Sequence, residues 1–224
     1  MSVAPITPVP YPTAEPTTLI EPGTTLRNED SSRFFIRYYK AFPAPDRNQW
    51  RLAIGGLVDA PATLSLADIR RTLPYHEQNT RMTCVEGWSS RATWGGFIYS
   101  GLAALVRPKL AATHVRVDCM DDYWESVAIT ELQRDGALFT THMNGTYLPA
   151  KHGAPLRMIL PWLYGYKGAK VISQLTFSDK EERGFWPARG PFTTAGDIEP
   201  GRDFPLDLGP GEARSITGGE VTTY

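Results

Sequence analysis

Residues 152–170 read HGAPLRMILPWLYGYKGAK, and the reading of the fold starts from them. Leu156-Arg157-Met158-Ile159-Leu160 is an apolar run of strand length, and Val171 to Phe177 is a second, so the glycine-rich stretch between them is a loop joining two strands. Within that loop Gly165 and Gly168 stand three apart. A backbone without side chains there approaches a ligand closely and points N–H groups at it. Arg157, Lys167 and Lys170 bring positive charge to the same place, and an arginine can hold an anion with two parallel hydrogen bonds. The set suits an anion such as a phosphate. A tight turn with solvated lysines is the other reading, and for an isolated GxxG it would win. The flanking arginine, tryptophan and prolines make this loop more specific.

Working outward, Trp50 to Val58 reads as a strand ending in the turn Asp59-Ala60-Pro61, and Leu64 to Arg71 has apolar residues at helical spacing with Ser65 as N-cap. Tyr75 to Val85 forms a strand carrying Cys84 near its end. Ser100 to Val106 is a short helix stopped by Pro108. His114 to Cys119 alternates as a half-buried strand does, Trp124 to Ile129 is its neighbour, and Thr130 begins a helical turn. Ser32 to Tyr39 is aromatic and of strand length. Residues 1–25 hold six prolines, which fix φ and remove backbone donors, so residues 1–31 are expected to be an extended arm. A domain over residues 32–183 follows, and the glycine- and proline-rich residues 184–224 are a surface wrap or loose tail. Strands outnumber short helices, which predicts an α+β fold with mixed, mainly antiparallel sheets.

The chain has 224 residues and a net charge of −1 from 23 basic and 24 acidic side chains. That balance argues against a nucleic-acid partner, which calls for a basic excess. No apolar run is long enough for a membrane-spanning helix, and the N-terminus shows no basic and apolar leader, so a cytoplasmic location is expected, or a periplasmic one if a leader has been removed. Two cysteines are too few for a disulfide framework or a four-ligand zinc site. Cys84, followed by Val85-Glu86-Gly87-Trp88 and then Trp94-Gly95-Gly96-Phe97, can sit at the floor of a cleft. There it can ligate a redox metal through a soft thiolate that leaves other positions open. A small buried hydrophobe is the competing reading.

Taken in order, Cys84-Val85-Glu86-Gly87-Trp88, Trp94-x-Gly96 and the block from His152 to Lys170 resemble the sulfite oxidase family of molybdopterin enzymes, nearest to its small bacterial branch. The resemblance covers residues 32–178. It implies a sulfite oxidase-type fold, a molybdenum–molybdopterin cofactor, and Cys84 as the metal's protein ligand. It places Arg157 and Lys167-Gly168-Ala169-Lys170 at the pterin phosphate. His152 falls where relatives often carry asparagine, Tyr38 and Tyr39 replace an Asn-His pair that touches the pterin, and Cys119 lies near a cofactor contact or packs in a strand.

By this likeness the chain is an oxidoreductase moving an oxygen atom to or from a small sulfur- or nitrogen-oxo substrate. A haem protein or cytochrome would exchange the electrons. Val-Glu-Gly-Trp after the cysteine departs from the Ala-Gly-Asn-Arg of sulfite oxidation, so the substrate pocket is altered. Arg91 and Lys151 can attract an anion or be plain surface charges, and Trp88, Tyr123 and Trp124 can wall the cleft or pack in the core. The family's immunoglobulin-like dimerisation domain has no counterpart here, which implies a monomer. Two other functions stay open: a metal-free cysteine nucleophile with His114 or His142 as base, and a non-catalytic binding module on the same fold.

Overall fold

The computed structural model describes residues 10–13, 34–37, 39–40, 45–207 and 213–219. In chain order these contain β1 (Leu52–Gly56), β2 (Ala62–Leu64), α1 (Leu66–Thr72), β3 (His76–Thr83), β4 (Trp88–Phe97), α2 (Tyr99–Val106), β5 (His114–Cys119) and β6 (Trp124–Ala128). They continue with α3 (Ile129–Leu132), β7 (Leu138–Met143), β8 (Thr146–Tyr147), β9 (Arg157–Ile159), β10 (Ile172–Ser178), β11 (Gly201–Pro205) and β12 (Arg214–Ile216). One sheet has the order β2-β1-β10-β5-β6 and is antiparallel except for β1 beside β10. The second runs β12-β11-β4-β7-β8, with β3 on the other edge of β4 and β9 on β7, and only β11 beside β4 is parallel. The α+β architecture with mixed, mainly antiparallel sheets is the expected one.

Local chemistry accounts for several boundaries. In β5 the residues Val115, Val117 and Cys119 are buried while His114, Arg116 and Asp118 are half-buried, the period of a one-sided strand. Helix α1 opens with a reciprocal capping box: Asp68 N–H donates to Ser65 Oγ at 3.1 Å and Ser65 N–H to Asp68 Oδ2 at 3.0 Å. A cap of this kind stabilises the helix by about 1 kcal/mol. Side chains of both sheets, among them Leu52, Leu175, Phe97 and Phe139, share the larger apolar core. A smaller core behind β3, β4, β7 and β9 holds Phe34, Met82, Trp94 and Ile159.

Two expectations change. Residues 34–37 alternate, with Phe34 and Ile36 buried, yet they join no sheet among the described residues. They lie as an extended segment whose other face, Phe35 and Arg37, borders a cavity. The chain after residue 184, in contrast, supplies β11 and β12 to the second sheet, so residues 201–205 are part of the ladder. Tyr38 and most of the proline-rich arm lie outside the described residues.

Candidate functional site

Strand β3 ends at Thr83, and Cys84 opens a tight turn. Cys84 N–H donates to the Trp88 carbonyl at 2.7 Å, and the Cys84 carbonyl accepts from Gly87 N–H at 3.0 Å. Gly87 takes a φ of +89°, a left-handed value that a side chain would strain. The turn leaves Cys84 half-buried in a cavity of about 270 Å³ bordered by Phe35, Arg37, Glu86, Lys170 and Trp186. Cys84 Sγ lies 3.6 Å from Glu86 Oε2, and that oxygen also accepts from Arg37 Nε at 2.9 Å and Trp88 Nε1 at 3.1 Å. Burial, with the Glu86 carboxylate adding to it, pushes the Cys84 thiol up to about 12.

Positive charge gathers around the same cavity: Lys170 borders it, and Arg157 meets its lining residue Met82. Arg157, on β9, is fully buried, with its guanidinium carbon 4.9 Å from the centre of the Trp94 ring. Its Nη1 donates to the His152 carbonyl and its Nη2 to Met82 Sδ, both at 3.1 Å, while Nε has no partner among the described residues. Burial lowers its pKa, but an arginine stays charged at neutral pH, so among the described residues the site carries a buried cation without an anion beside it. Lys170 borders the cavity, and its Nζ donates to the Arg37 carbonyl. Burial, then the neighbouring Arg157 charge, brings it down to about 7. His152 is wholly buried, packs edge-on against Phe34, and leaves both ring nitrogens without a partner among the described residues. Burial and the surrounding cations hold its pKa well below the usual imidazole value.

The remaining candidates separate. Gly168 belongs to the cradle, since a Cβ there would stand 3.0 Å from the Met158 carbonyl and 3.9 Å from Arg157 Nη2. Ala169 sits in the core, its carbonyl accepting from Met158 N–H at 2.9 Å. Lys167 turns away. Its Nζ donates to Glu125 Oε2 at 2.6 Å and to the Ser126 and Thr194 carbonyls at 2.8 Å. All three donors are taken, so Lys167 is framework and has none left for an anion. Cys119 ends β5 in the larger core, its sulfur meeting the Lys170 backbone N–H, and burial raises its pKa. Tyr39 packs on Phe185 and Trp186, and Trp186 borders the cavity.

Trp88 packs edge-on against Phe35, which lines the cavity, whereas the Tyr123 hydroxyl is bonded to Glu125 inside the protein. Arg91 is buried on β4 against Asn79. Neither His114 nor His142 borders the cavity, so neither stands as a base beside Cys84.

Sequence reasoning gave no role to Glu86, Arg37, Trp186 or Phe192, all of which border the cavity. Glu86 was visible inside the cysteine motif. The aromatic spacing of Phe185-Trp186 and Phe192, in the segment that reads as a surface wrap or loose tail, is the signal for the other wall.

Among the described residues no group of three or more His, Cys, Asp or Glu side chains could hold a metal ion. A metal at Cys84 therefore needs most of its ligands from a cofactor. The polar atoms of His152, Arg157 and Thr83 that have no partner among the described residues, near a cavity bordered by a thiol and by Lys170, fit an anionic group that brings its own acceptors.

Such a site, placed where β3 and β9 of one sheet meet the loop into β10 of the other, defines a domain that cradles an anion-bearing redox cofactor. The chain belongs to the oxidoreductase molybdopterin-binding domain family, whose model matches residues 39–186. The protein-methionine-sulfoxide reductase catalytic subunit MsrP of Ralstonia nicotianae is 32% identical over an alignment of 173 positions that covers 70% of this chain and 52% of that protein. The fold is that of the sulfane dehydrogenase SoxCD from Paracoccus pantotrophus, with a TM-score of 0.62 and 19% identity over 82% of this chain and 48% of the SoxCD chain. The chain thus spans about half the length of each of these relatives. Molybdenum–molybdopterin is the cofactor of this family of oxidoreductases.

Proposed function

We propose that this chain is a molybdenum–molybdopterin oxidoreductase in which Cys84 is the metal's protein ligand and the substrate is a neutral sulfoxide. The observation that carries the reading is the cavity that Cys84 shares with Glu86 and Lys170, together with the buried polar atoms of Arg157 and His152 that have no partner among the described residues. When bound, the cofactor supplies a two-electron couple that moves an oxygen atom to or from the substrate. Arg157 and Lys170 bind its phosphate, with Gly168 letting the backbone approach. His152 offers its two free ring nitrogens to polar atoms of the same group, and Tyr39 closes the outer rim against Trp186.

The remaining residues shape the substrate's place. Phe35, Val85, Trp186 and Phe192 give the cavity apolar walls and exclude water from the sulfur. Glu86 puts a negative charge at the entrance, which disfavours sulfite-like anions and tolerates a dipolar S–O group. Removing the oxygen of a sulfoxide as water consumes two protons with the two electrons, and Glu86 Oε2, 3.6 Å from Cys84 Sγ, would be a carboxylate placed to relay them. The methionine-sulfoxide reductase named above supports this substrate class. A haem or cytochrome protein is the proposed electron donor.

The test is reduction of methionine sulfoxide by the purified, molybdenum-loaded protein with a reduced viologen dye as donor. Turnover by the wild type and its loss in Cys84→Ser is the expected result. Turnover that survives Cys84→Ser would remove Cys84 from the reaction.

A further inference from the structure

The turn that carries Cys84 is held from both flanks by one short stretch near the C-terminus. On the downstream flank, Phe204 N–H donates to the Gly87 carbonyl at 3.0 Å and Leu206 N–H to the Ser89 carbonyl at 2.8 Å. Gly87 N–H in turn donates to the Cys84 carbonyl, so two consecutive backbone hydrogen bonds connect Phe204 to the cysteine.

On the upstream flank the contact is ionic. Arg81, three residues before Cys84 on β3, forms a bidentate pair with Asp207, Nη1 to Oδ1 at 2.6 Å and Nη2 to Oδ2 at 2.8 Å. Both side chains are 1% exposed. Arg81 Nη1 also donates to Ser89 Oγ, which donates to Asp203 Oδ2 at 2.7 Å, tying the two flanks to each other.

A buried, bidentate, fully desolvated pair contributes little net stability compared with apolar packing, and its best-attested use is to fix a register. The register fixed here is that of β3 against β4, the two strands joined by the Cys84 turn. Strand β11 meets β4 only at Trp88 and Ser89, the first two residues after the turn.

From this placement we infer that residues 204–207 are a positioning element for the Cys84 sulfur, with Asp207 and the Phe204 N–H as its two working groups. Asp207 acts through Arg81 and touches neither the sulfur nor the cavity. The element sets where the sulfur points and how freely the turn opens. This inference rests on Cys84 being the reactive sulfur, and it is tested without relying on metal.

Cofactor-free protein is labelled with iodoacetamide, and the two cysteines are read separately by peptide mass spectrometry. Cys119, buried in the other sheet, reports global opening. Phe204→Pro, which removes the backbone donor at the turn, is expected to speed labelling of Cys84 several-fold while leaving Cys119 nearly unchanged; Asp207→Asn, which also leaves the buried Arg81 charge without its anion and so destabilises the fold, is expected to speed Cys84 several-fold more than Cys119. Asp207→Glu is expected to restore most of the protection.

In loaded protein the same two substitutions are expected to shift the thiolate-to-molybdenum absorption band. They should also lower metal retention by roughly 10- to 100-fold, the usual loss when a partner behind a ligand is removed. Equal acceleration of both cysteines would make the segment a general stabiliser and overturn the inference, as would no acceleration at either. Selective acceleration in a protein that never takes up molybdenum would uphold the positioning role and refute the cofactor reading instead.

Discussion

Glu86 Oε2 and Cys84 Sγ lie 3.6 Å apart, and the carboxylate is held in place by Arg37 and by the Trp88 indole. A carboxylate in hydrogen-bond reach of the sulfur is thus held in a fixed position. A charge about 4 Å from a second charge is worth from 1 to about 4 kcal/mol between bulk water and a protein surface.

Substrate charge should therefore be read out by Glu86. Glu86→Gln is expected to lower the KM for an anionic oxo-substrate such as sulfite by roughly tenfold, equivalent to about 1.4 kcal/mol. The KM for a neutral sulfoxide should change far less. Steady-state kinetics on the two substrates would check this, and an equal change for both would show that the carboxylate does not discriminate by charge.

Arg157 should behave as a residue kept for a ligand at no gain to the empty fold. Its Nε has no partner among the described residues, and its charge is buried. Replacing a poorly compensated buried ion with an apolar side chain of similar length is often neutral or stabilising. Arg157→Met is expected to leave the melting temperature of cofactor-free protein unchanged or higher, while cofactor retention falls roughly 10- to 100-fold. A large fall in the melting temperature with normal retention would reverse the assignment.

Lys167 should show the opposite pattern. Its ion pair with Glu125 is 2% and 0% exposed, and removing one partner of such a pair typically costs about 3–5 kcal/mol. Lys167→Met is expected to destabilise the protein by that order in urea denaturation, with much of the loss recovered in Lys167→Met/Glu125→Gln. Unchanged stability together with lost cofactor would return Lys167 to the anion site.

These contrasts show what the sequence could and could not convey. The alternation in His114–Cys119 and the Ser65 cap were legible because their signals are local: a period of two, and an acceptor three residues before its donor. The motif from His152 to Lys170 disclosed the cradle, yet spacing could not say which lysine faces it. Lys167 and Lys170 differ in direction because Glu125, far away in the chain, captures one of them.

Strand β4 escaped notice for a related reason. Ser89, Ser90 and Arg91 are polar but buried, so hydrophobic periodicity is lost there. Their burial depends on contacts such as Ser89 Oγ with Asp203, more than a hundred residues on. The Phe34–Arg37 segment carried the alternation of a strand, and it spends that alternation on one face in the core and one in the cavity, without a ladder.

Stability should fall as the pH drops below the ordinary imidazole value of about 6.5. His142 and His152 are both buried with lowered pKa values, burial being the main cause in each. The unfolded chain binds protons below that pH while the folded chain resists them, so stability is full above it and is lost as pH falls. The slope approaches about 1.4 kcal/mol per pH unit for each histidine. His142 Nε2–H donates to the Pro12 carbonyl and Nδ1 accepts from the Thr141 hydroxyl, both at 2.8 Å, so protonation of Nδ1 forces the hydroxyl to turn from donor to acceptor. Urea midpoints of cofactor-free protein between pH 7.5 and pH 5 would show the decline. His142→Gln is expected to flatten the slope even where its absolute stability is lower, and a flat profile in the wild type would contradict the buried-neutral assignment.

The most direct test of the central claim is the X-ray absorption spectrum at the molybdenum edge, recorded on loaded wild type and on Cys84→Ser. If Cys84 is the protein ligand, the variant loses one sulfur scatterer from the metal's shell and gains a lighter one or none. The same sulfur count in both proteins would show that the metal takes its sulfur elsewhere and would refute the assignment of Cys84.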